Sequence, residues 1–224
     1  MKRYFHEELE QIRSHLMLMG EKSIESVSVV MRALIESDMK LAQEVIEGDD
    51  VIDDIETQID DEVARYVNLR APVARDLRLL FVMIKASHDL ERVGDEAVSI
   101  GVRAKEVLKT GQPINDLAAI PRMVEYAVGM LQSALNCFIQ ENLEEAHAIC
   151  LRDKEVDRIN RENFLHYVEC MKADPANALM YTELVFISKC FERIADHATN
   201  IAEEVYYLLT SESLKKKIAT ETVH

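Results

Sequence analysis

The sequence is poor in turn-forming residues, with only six glycines and four prolines among its 224 positions. This scarcity disfavours a structure that depends on many tight turns and favours long helices. No window approaches the about 20 consecutive apolar residues that a membrane span needs, and the polar N-terminus lacks the apolar core of a signal peptide. We therefore expect a cytoplasmic protein that meets a membrane only peripherally, through its partners.

The sequence also lacks the motifs of common enzyme classes. It has no glycine-rich phosphate loop, no Gly-x-Ser-x-Gly motif and no Cys/His pair at catalytic spacing. Its four cysteines form no Cys-x-x-Cys motif and fall within apolar helical runs of the second half, at Cys137, Cys150, Cys170 and Cys190. We interpret them as reduced core residues rather than zinc ligands or disulfides. These absences predict a protein that is not an enzyme.

Basic residues are outnumbered by acidic ones, 26 to 41, which gives a formal net charge of −15. Such a field disfavours binding to nucleic acid and suits the binding of cations or of a basic partner surface. Hydrophobic residues make up 48% of the chain, which excludes a disordered protein. The length allows one large domain or two small ones with a real core.

What the sequence does contain is a helical pattern that occurs twice. No segment alternates with period two over a useful length, whereas apolar residues recur every three or four positions in long stretches. Pro72 and Pro175 end the middle helix of each half, because proline cannot donate to the preceding turn. Gly, Pro and Asn gather between Gly111 and Ile120, where we place the boundary between halves. The predicted helices cover residues 4–37, 39–69, 74–109, 121–140, 143–171 and 176–209.

The predicted fold class is all-α, with two tandem, pseudo-symmetric, antiparallel three-helix bundles. Residues 1–111 form the first repeat and residues 112–211 form the second. Residues 212–224 are a C-terminal tail that we expect to be frayed.

An acidic pair repeats between the two halves. Glu91-Arg92-Val93-Gly94-Asp95 returns 101 residues later as Glu192-Arg193-Ile194-Ala195-Asp196. Residues four apart lie on one face of a helix, so the Glu and Asp of each copy point the same way. The helix that precedes each copy carries a pair of its own, Asp49/Asp53 in the first half and Asp153/Asp157 in the second.

The two pairs of each half are predicted to face each other. Asp53 precedes Pro72 by 19 residues, and Glu91 follows Pro72 by 19. In the second half, Asp157 precedes Pro175 by 18 residues, and Glu192 follows it by 17. Consecutive helices joined by a short turn run antiparallel, so similar distances from the turn place the pairs at similar heights.

Four carboxylates in one partly buried cluster repel one another and lose hydration unless they are protonated or neutralised. Divalent or trivalent cations would compensate for this directly. All-oxygen ligation suits Mg, Ca, Mn or Fe better than zinc, and bridging carboxylates could hold more than one ion. The alternative is a solvated acidic surface that arginines neutralise: Arg65, Arg92, Arg158 and Arg193.

A histidine lies close to the first acidic pair. His88 precedes Glu91 by three residues, the reverse of the Glu-x-x-His order of di-iron bundles, and Lys189 takes its place in the second half. We therefore predict no oxygen chemistry. We interpret His88 as a satisfied polar side chain rather than a metal ligand.

Taken together, these motifs resemble those of the PhoU family of phosphate-uptake regulators, and the resemblance spans nearly the whole chain. It includes Arg70-x-Pro72-x-Ala74-x-Asp76-Leu77-Arg78, both Glu-Arg-x-x-Asp copies, and His197-Ala198-x-Asn200-Ile201 after the second copy. The tandem half-length repeat is the organisation of that family. The resemblance implies two symmetric three-helix bundles side by side.

The resemblance also implies a metal site, since family members can hold multinuclear iron or zinc clusters through Glu/Asp-x-x-x-Asp motifs. On this basis we expect divalent or trivalent cations in each bundle. The expected ligands are Asp49, Asp53, Glu91, Asp95, Asp153, Asp157, Glu192, Asp196 and, one turn further on, Asn200.

The function that the resemblance implies is negative regulation of phosphate uptake and of the phosphate-starvation response. The chain would be a non-enzymatic adaptor between the ATPase subunit of the phosphate ABC transporter and a phosphate-sensing histidine kinase. We expect a homo-oligomer, a dimer, and no nucleic-acid partner. The alternative function is a carboxylate-bridged metalloenzyme or a metal-storage bundle.

Overall fold

Eight α-helices account for most of the chain in a computed structural model, which describes residues 2–110, 114 and 116–221. A 3-10 turn at Pro175–Asn177 leads into the seventh helix. Among the described residues no strand occurs, and no helix is long and apolar enough to cross a membrane. The helices are α1 (Lys2–Glu36), α2 (Met39–Glu47), α3 (Asp50–Arg70), α4 (Ala74–Lys109), α5 (Ile120–Gln140), α6 (Leu143–Ala173), α7 (Ala178–Thr210) and α8 (Leu214–Glu221).

Each half is a three-helix bundle around an apolar seam. In the first half α1, the pair α2 and α3, and α4 pack together, and in the second half α5, α6 and α7 do so. Full burial of one large apolar side chain contributes about 1.5–3 kcal/mol, so these seams hold the bundles together. The predicted all-α fold of two tandem bundles is confirmed. The largest buried side chains include Leu16, Met19, Ile59, Met83, Leu90 and Ile100 in the first half, and Phe138, Tyr167 and Phe191 in the second.

The third helices of the two bundles, α4 and α7, pack against each other and join the halves. They run antiparallel, because Lys85 near the start of α4 pairs with Glu204 near the end of α7. Further along α4, Glu96 pairs with Arg193, with 3.0 Å between Oε1 and Nη1. The apolar residues of both halves form one continuous core.

The prediction of one continuous helix over residues 39–69 is wrong. The chain leaves α2 after Glu47 and begins α3 at Asp50, with the N–H of Gly48 donating to the Glu44 carbonyl oxygen at 3.0 Å. Glycine is a poor helix former, while Asp49 and Asp50 favour a helix start, where free N–H groups and the helix dipole attract negative charge. The break therefore comes from residues that apolar periodicity alone does not weigh.

The prediction of a frayed tail is wrong for residues 214–221, which form α8. Leu214 is buried against the second bundle, and Lys215 Nζ lies 3.1 Å from Glu203 Oε2 on α7. Residues 222–224 lie outside the described residues, as do Gly111, Gln112, Pro113 and Asn115 of the predicted boundary. The division of the chain at residue 111 stays a prediction.

Candidate metal centre

The first carboxylate cluster, defined as Asp49, Asp53, Glu91 and Asp95, lies where the start of α3 meets α4. Asp49 directly precedes α3, and its side chain makes no capping hydrogen bond with that helix. A Cβ atom at Gly94 would lie 2.9 Å from Asp49 Oδ1, closer than real Cβ contacts come. Gly94 therefore permits the close approach that brings Asp49 to the pair on α4.

Burial and the repulsion of neighbouring carboxylates raise the pKa values of three carboxyl groups of the first cluster, those of Asp49, Asp53 and Glu91. Burial raises the pKa of Asp49 to about 6, and repulsion from Asp53 and Asp95 adds to the effect. Loss of solvent, followed by repulsion from Asp95, raises the pKa of Asp53. Burial also raises the pKa of Glu91, and Asp95 is the strongest like charge acting on it. The structure thus brings the four predicted residues within electrostatic range of one another.

Arg92 supplies positive charge to one side of the first cluster. Its Nη1 donates to Asp95 Oδ2 at 2.9 Å, and its Nε lies 3.3 Å from Glu91 Oε2. The contact between Arg92 Nε and Glu91 Oε2 is an ion pair but not a hydrogen bond. Glu91 Oε2 is therefore a buried acceptor that lacks a hydrogen bond to the described residues. Arg92 contacts the pair on α4, whereas Asp49 and Asp53 belong to the segment that faces α4.

His88 connects this pair to α3. Its Nδ1 lies 3.4 Å from Glu56 Oε1 and 3.9 Å from Glu91 Oε2. One ligand atom from each of Glu56, His88 and Glu91 falls within 4.8 Å of the others. Our sequence reasoning missed Glu56, which the three-residue spacing from Asp53 on the same helix could have found.

The second carboxylate cluster, defined as Asp153, Asp157, Glu192 and Asp196, lies between α6 and α7. Burial raises the pKa of Asp153 to about 6, and repulsion from Asp196, Asp157 and Glu192 adds to it. Asp153 Oδ1 is buried, and no hydrogen bond reaches it from the described part of the chain. An orphaned buried carboxylate oxygen costs stability at neutral pH unless a cation binds it.

Lys189 is the cation that is hydrogen-bonded to the second cluster, and His197 and Lys215 also act to lower the pKa of Asp196. Lys189 donates to Glu192, which is a buried residue. Burial raises the pKa of Glu192, and Lys189 opposes that rise only in part. Burial likewise raises the pKa of Asp196 against the effect of Lys189. The second set of predicted carboxylates is therefore also brought together and only partly neutralised.

Asn200, the ninth predicted ligand, takes part in the contact between the halves. Its Nδ2 donates to Asp89 Oδ1 on α4 at 3.0 Å, and His197 Nδ1 lies 2.8 Å from the same oxygen. These contacts occupy its amide nitrogen, and a role for Asn200 as a metal ligand stays a prediction. His197 and Asp89 were not predicted as site residues.

The alternative to metal binding is an acidic surface neutralised by Arg65, Arg92, Arg158 and Arg193, and of these four only Arg92 pairs with a cluster carboxylate among the described residues. Arg92 contacts the first cluster, as described above. Arg193 instead pairs with Glu96, and Arg158 pairs with Glu155 and Glu162 on its own helix. Arg65 acts on the carboxyl group of Glu8, whose pKa is lowered mainly by Arg70. The second cluster thus has an amine next to it but none of these guanidinium groups.

The donor set of both clusters fits hard cations. Each cluster offers four carboxylates from two facing helical segments, and each has at least one buried oxygen without a hydrogen bond, in Glu91 and in Asp153. Oxygen-only ligation suits Mg, Ca, Mn or Fe. A bound cation would supply positive charge and hold the facing segments together. It would also favour the ionised carboxyl groups over the protonated ones.

A further group of ligand-type atoms, which the sequence reasoning missed, lies at the start of the second half. His166 Nε2 lies 2.6 Å from Asp116 Oδ2 and 3.5 Å from Cys170 Sγ. The four-residue spacing of His166 and Cys170 on α6 was the available signal. Of the four cysteines, Cys170 is only partly buried, while Cys137, Cys150 and Cys190 are buried core residues as predicted.

Comparisons with known proteins give a consistent family. The sequence profile described as PhoU domain matches residues 16–104 and again residues 120–205. A Clostridium acetobutylicum relative is 32% identical over 215 residues, which cover 95% of this chain and 97% of the relative. A Rhizobium meliloti relative is 37% identical and covers 92% of this chain and 87% of its own length. Both are named phosphate-specific transport system accessory protein PhoU homolog.

Solved structures agree with the sequence comparisons. The crystal structure of PhoU from Pseudomonas aeruginosa superposes with a TM-score of 0.89 at 36% identity, covering 93% of this chain and 100% of that one. The phosphate transport system regulatory protein PhoU from Streptococcus pneumoniae gives 0.85 at 26% identity, covering 94% and 99%. The repeated acidic pairs, the two bundles and these matches lead to one conclusion: the chain belongs to the PhoU family.

Proposed function

We propose that this protein is a negative regulator of phosphate uptake and of the phosphate-starvation response. It acts as a non-enzymatic adaptor between the ATPase subunit of the phosphate ABC transporter and a phosphate-sensing histidine kinase. The observation that carries the proposal is the end-to-end likeness to relatives named accessory proteins of phosphate-specific transport systems, over 95% of this chain. The Streptococcus pneumoniae neighbour, named a regulatory protein of phosphate transport, supports the same role.

The test is deletion in the source organism, with phosphate-responsive transcription and phosphate uptake measured in high phosphate. Deletion should derepress both, and the wild-type chain supplied in trans should restore repression. The purified chain should also retain the transporter ATPase subunit and the kinase cytoplasmic domain on an affinity column. Unaltered transcription and uptake after deletion would refute the proposal.

We further propose that the two carboxylate clusters bind cations and that the cations stabilise the bundles. The buried oxygens Glu91 Oε2 and Asp153 Oδ1, which accept no hydrogen bond from the described residues, support this, as do the raised pKa values of Asp49 and Asp153. Elemental analysis of protein purified without added metal tests it, beside an Asp53→Ala/Glu91→Ala variant. Equal metal content in the two proteins would refute the first site.

A second candidate function is a carboxylate-bridged metalloenzyme or a metal store. Clusters of four carboxylates between helical segments, in both halves, are the observation that favours it. Ferrous oxidation or phosphatase turnover by the wild-type chain that disappears in Glu91→Ala would support this function. Inertness in both assays would remove it and leave the adaptor.

Location and assembly also belong to the proposal. An adaptor that serves a transporter ATPase and a kinase domain works in the cytoplasm and reaches the membrane through these partners. We propose a homodimer, which sedimentation equilibrium of the purified chain would test.

A further inference from the structure

An exposed apolar groove crosses the second bundle between α6 and α7. Its walls carry large side chains that remain open to solvent: Phe164 is 52% exposed, Leu165 63% and Phe186 45%. Asn160, Arg161, Val185 and Lys189 complete the lining. Single exposed apolar residues are common on proteins, but a contiguous group with a polar rim marks an interaction surface.

The first bundle shows that the fold does not require this apolar surface. Aligning the acidic pairs equates Asp53 with Asp157 and Glu91 with Glu192. The same alignment places exposed Asp60 and Asp61 where the second half has Phe164 and Leu165, and exposed Lys85 where it has Phe186. Buried positions match in the two halves, since Ile52, Ile55 and Ile59 correspond to Val156, Ile159 and Asn163. The two bundles share a core pattern and differ at this surface.

The charge of the surface changes along with its polarity. Arg161 and Lys189 line the groove where the first half has Thr57 and His88, and Asn160 replaces Glu56. Arg161 is exposed and has no ion pair with another described residue. Arg103 lies over the Phe186 ring, 4.3 Å from its centroid, at one edge of the apolar patch. Lys189 donates to Glu192 and Arg103 pairs with Glu183, so Arg161 is the cation of this surface that has no ion pair within the described part of the chain.

We propose that this groove, lined by Asn160, Arg161, Phe164, Leu165, Val185, Phe186 and Lys189, binds an amphipathic acidic helix of a partner protein. The partner's apolar face would cover Phe164, Leu165 and Phe186, as amphipathic helices do in grooves between helices. Carboxylates flanking that face would pair with Arg161 and would compete with Glu192 for Lys189. The inference rests on the proposed adaptor function and deepens it, since it gives the adaptor one partner surface.

Two other occupants fit the groove less well. A two-fold dimer through this groove would bring Arg161 and Lys189 of one copy toward the same groove of the other, where like charges repel. An anionic membrane would meet the two groove cations, but the net charge of −15 would repel the chain as a whole. Charge complementarity therefore favours a separate acidic protein segment.

The test uses the full chain and two fluorescein-labelled amphipathic helical peptides with the same apolar face of Leu and Phe. One peptide carries Glu on its flanks and the other carries Lys. Fluorescence anisotropy should show binding of the Glu peptide at least about tenfold tighter than binding of the Lys peptide. No binding of the Glu peptide, or equal binding of both, overturns the proposal.

Variants assign the binding to the groove. Phe164→Asp/Leu165→Asp installs the first-half residues and should weaken binding of the Glu peptide by at least about tenfold. Arg161→Glu should weaken it and reduce the preference over the Lys peptide. Phe81→Asp changes a phenylalanine of α4 that is 57% exposed and lies outside the groove, and it should leave binding unchanged. Equal binding by the wild-type and Phe164→Asp/Leu165→Asp chains overturns the proposal.

Further measurements distinguish an acidic helix from the other possible occupants of the groove, and failure of the groove proposal from failure of the proposed function. Co-sedimentation of the chain with phosphatidylserine vesicles, if Phe164→Asp/Leu165→Asp alone abolishes it, would overturn the proposal in favour of a membrane. Self-association that the same variant alone abolishes would overturn it in favour of a second copy. Circular dichroism checks that each variant folds. In the deletion strain, wild-type complementation tests the adaptor role independently. Restored repression together with no peptide binding would reject the groove and leave the proposed function standing.

Discussion

The two carboxylate clusters have the same composition in acidic pairs but different surroundings. In the first half, Asp49 stands at the start of a helix and Arg92 contacts both carboxylates of the facing pair. In the second half, Asp153 lies inside the continuous helix α6, and Lys189 donates only to Glu192. Asp153 Oδ1 is left buried without a hydrogen bond among the described residues. Each cluster thus has one buried oxygen without a hydrogen bond to the described residues, and the second cluster lacks the guanidinium contact of the first. We therefore expect the second cluster to bind a cation more tightly than the first does.

This difference has a physical origin in the helices themselves. A helix start stabilises negative charge by about 0.3–1 kcal/mol, and Asp49 lies at one, although its carboxylate makes no capping hydrogen bond and its pKa is raised to about 6. An aspartate in a helix interior has no free N–H groups to accept from, and Asp153 depends on what its neighbours supply. Two sites that match in sequence thus differ in their expected cation affinity.

The largest expected effect comes from removing the ligands of one cluster at a time. Asp153→Asn/Glu192→Gln should remove cation binding from the second half. The loss of affinity should exceed the about 10–100-fold caused by changing residues that only hydrogen-bond to metal ligands. Asp49→Asn/Glu91→Gln should remove the weaker site. Isothermal titration with Mn²⁺ measures both. Glu162→Gln, on the exposed side of α6, is the control and should leave Mn²⁺ binding unchanged. If the first site of the wild-type chain binds Mn²⁺ more tightly than the second, the comparison is reversed.

Gly94 and Ala195 occupy the same position in the two Glu-Arg-x-x-Asp motifs. Exchanging them should separate the effect on the position of the Asp49 carboxylate from the effect on the stability of the fold. In Gly94→Ala the new Cβ would meet Asp49 Oδ1 at 2.9 Å and Ile52 Cδ1 at 3.0 Å, so the Asp49 carboxylate must move. We expect weaker Mn²⁺ binding in the first half, while a helix-propensity gain of about 1 kcal/mol offsets the strain in the fold.

The reciprocal change, Ala195→Gly, provides the matched control. Ala195 is buried, so the change should cost about 2 kcal/mol of unfolding free energy, through helix propensity and loss of a buried methyl group, and leave cation binding in the second half unchanged. Chemical denaturation and titration of both variants check this pair. Full Mn²⁺ affinity in the first half of Gly94→Ala would show that Gly94 does not position Asp49.

The stability of the metal-free chain should depend on pH through the buried aspartate of each cluster. The pKa values of Asp49 and Asp153 are raised to about 6 in the folded protein, above the about 3.9 of an unfolded aspartate. The folded state therefore takes up protons first, so acidification from pH 7 through 6 stabilises it, and the gain is complete below the unfolded pKa. After allowance for solvent screening we expect on the order of 1 kcal/mol for each group.

Urea denaturation in chelator at pH 7 and pH 5 measures this gain. Asp153→Asn should reduce it, and Asp49→Asn should do so to a similar or smaller extent. Asp54→Asn, on the exposed side of α3, serves as the control. A gain that survives in the Asp49→Asn/Asp153→Asn double variant would assign the pH dependence to other groups.

The smallest effects should come from the cations that border the clusters. Arg92→Gln removes the ion pairs with Glu91 and Asp95, and partly exposed pairs of this kind contribute at most about 1 kcal/mol. The first site should then bind Mn²⁺ a few-fold more tightly, nearer to the second. Lys189→Gln should have the same sign of effect in the second half. A weaker first site in Arg92→Gln would mean that Arg92 orders the ligands.

Most of the helices could be predicted because their apolar periodicity is strong. The seam of α4 and that of α7 contain the same three- and four-residue steps that the structure buries, from Met83 to Val107 and from Leu184 to Leu208. The break at Gly48 and the helix α8 were missed. The break depends on one glycine and two aspartates, and α8 depends on Leu214 finding a buried site, which a local pattern does not contain.

The candidate site divides in the same way. The spacing of Glu91 and Asp95, and their distance from Pro72, predict the acidic pairs on facing segments. The contact of His88 with Glu56, and that of Asn200 with Asp89, could not be predicted from spacing. They depend on how α4 rotates against α3 and α7, which side-chain packing decides.

By itself, the sequence determined an all-α chain of two similar halves, and the acidic pairs on each. Periodicity and repetition carry that information because helix geometry fixes which residues share a face. Only the tertiary structure decided which carboxylates are compensated and which apolar residues stay exposed. Phe164, Leu165 and Phe186 are as apolar as core residues but lie beside the buried seams of α6 and α7, and they remain exposed. Burial is a property of the packed chain, and one helix alone does not specify it.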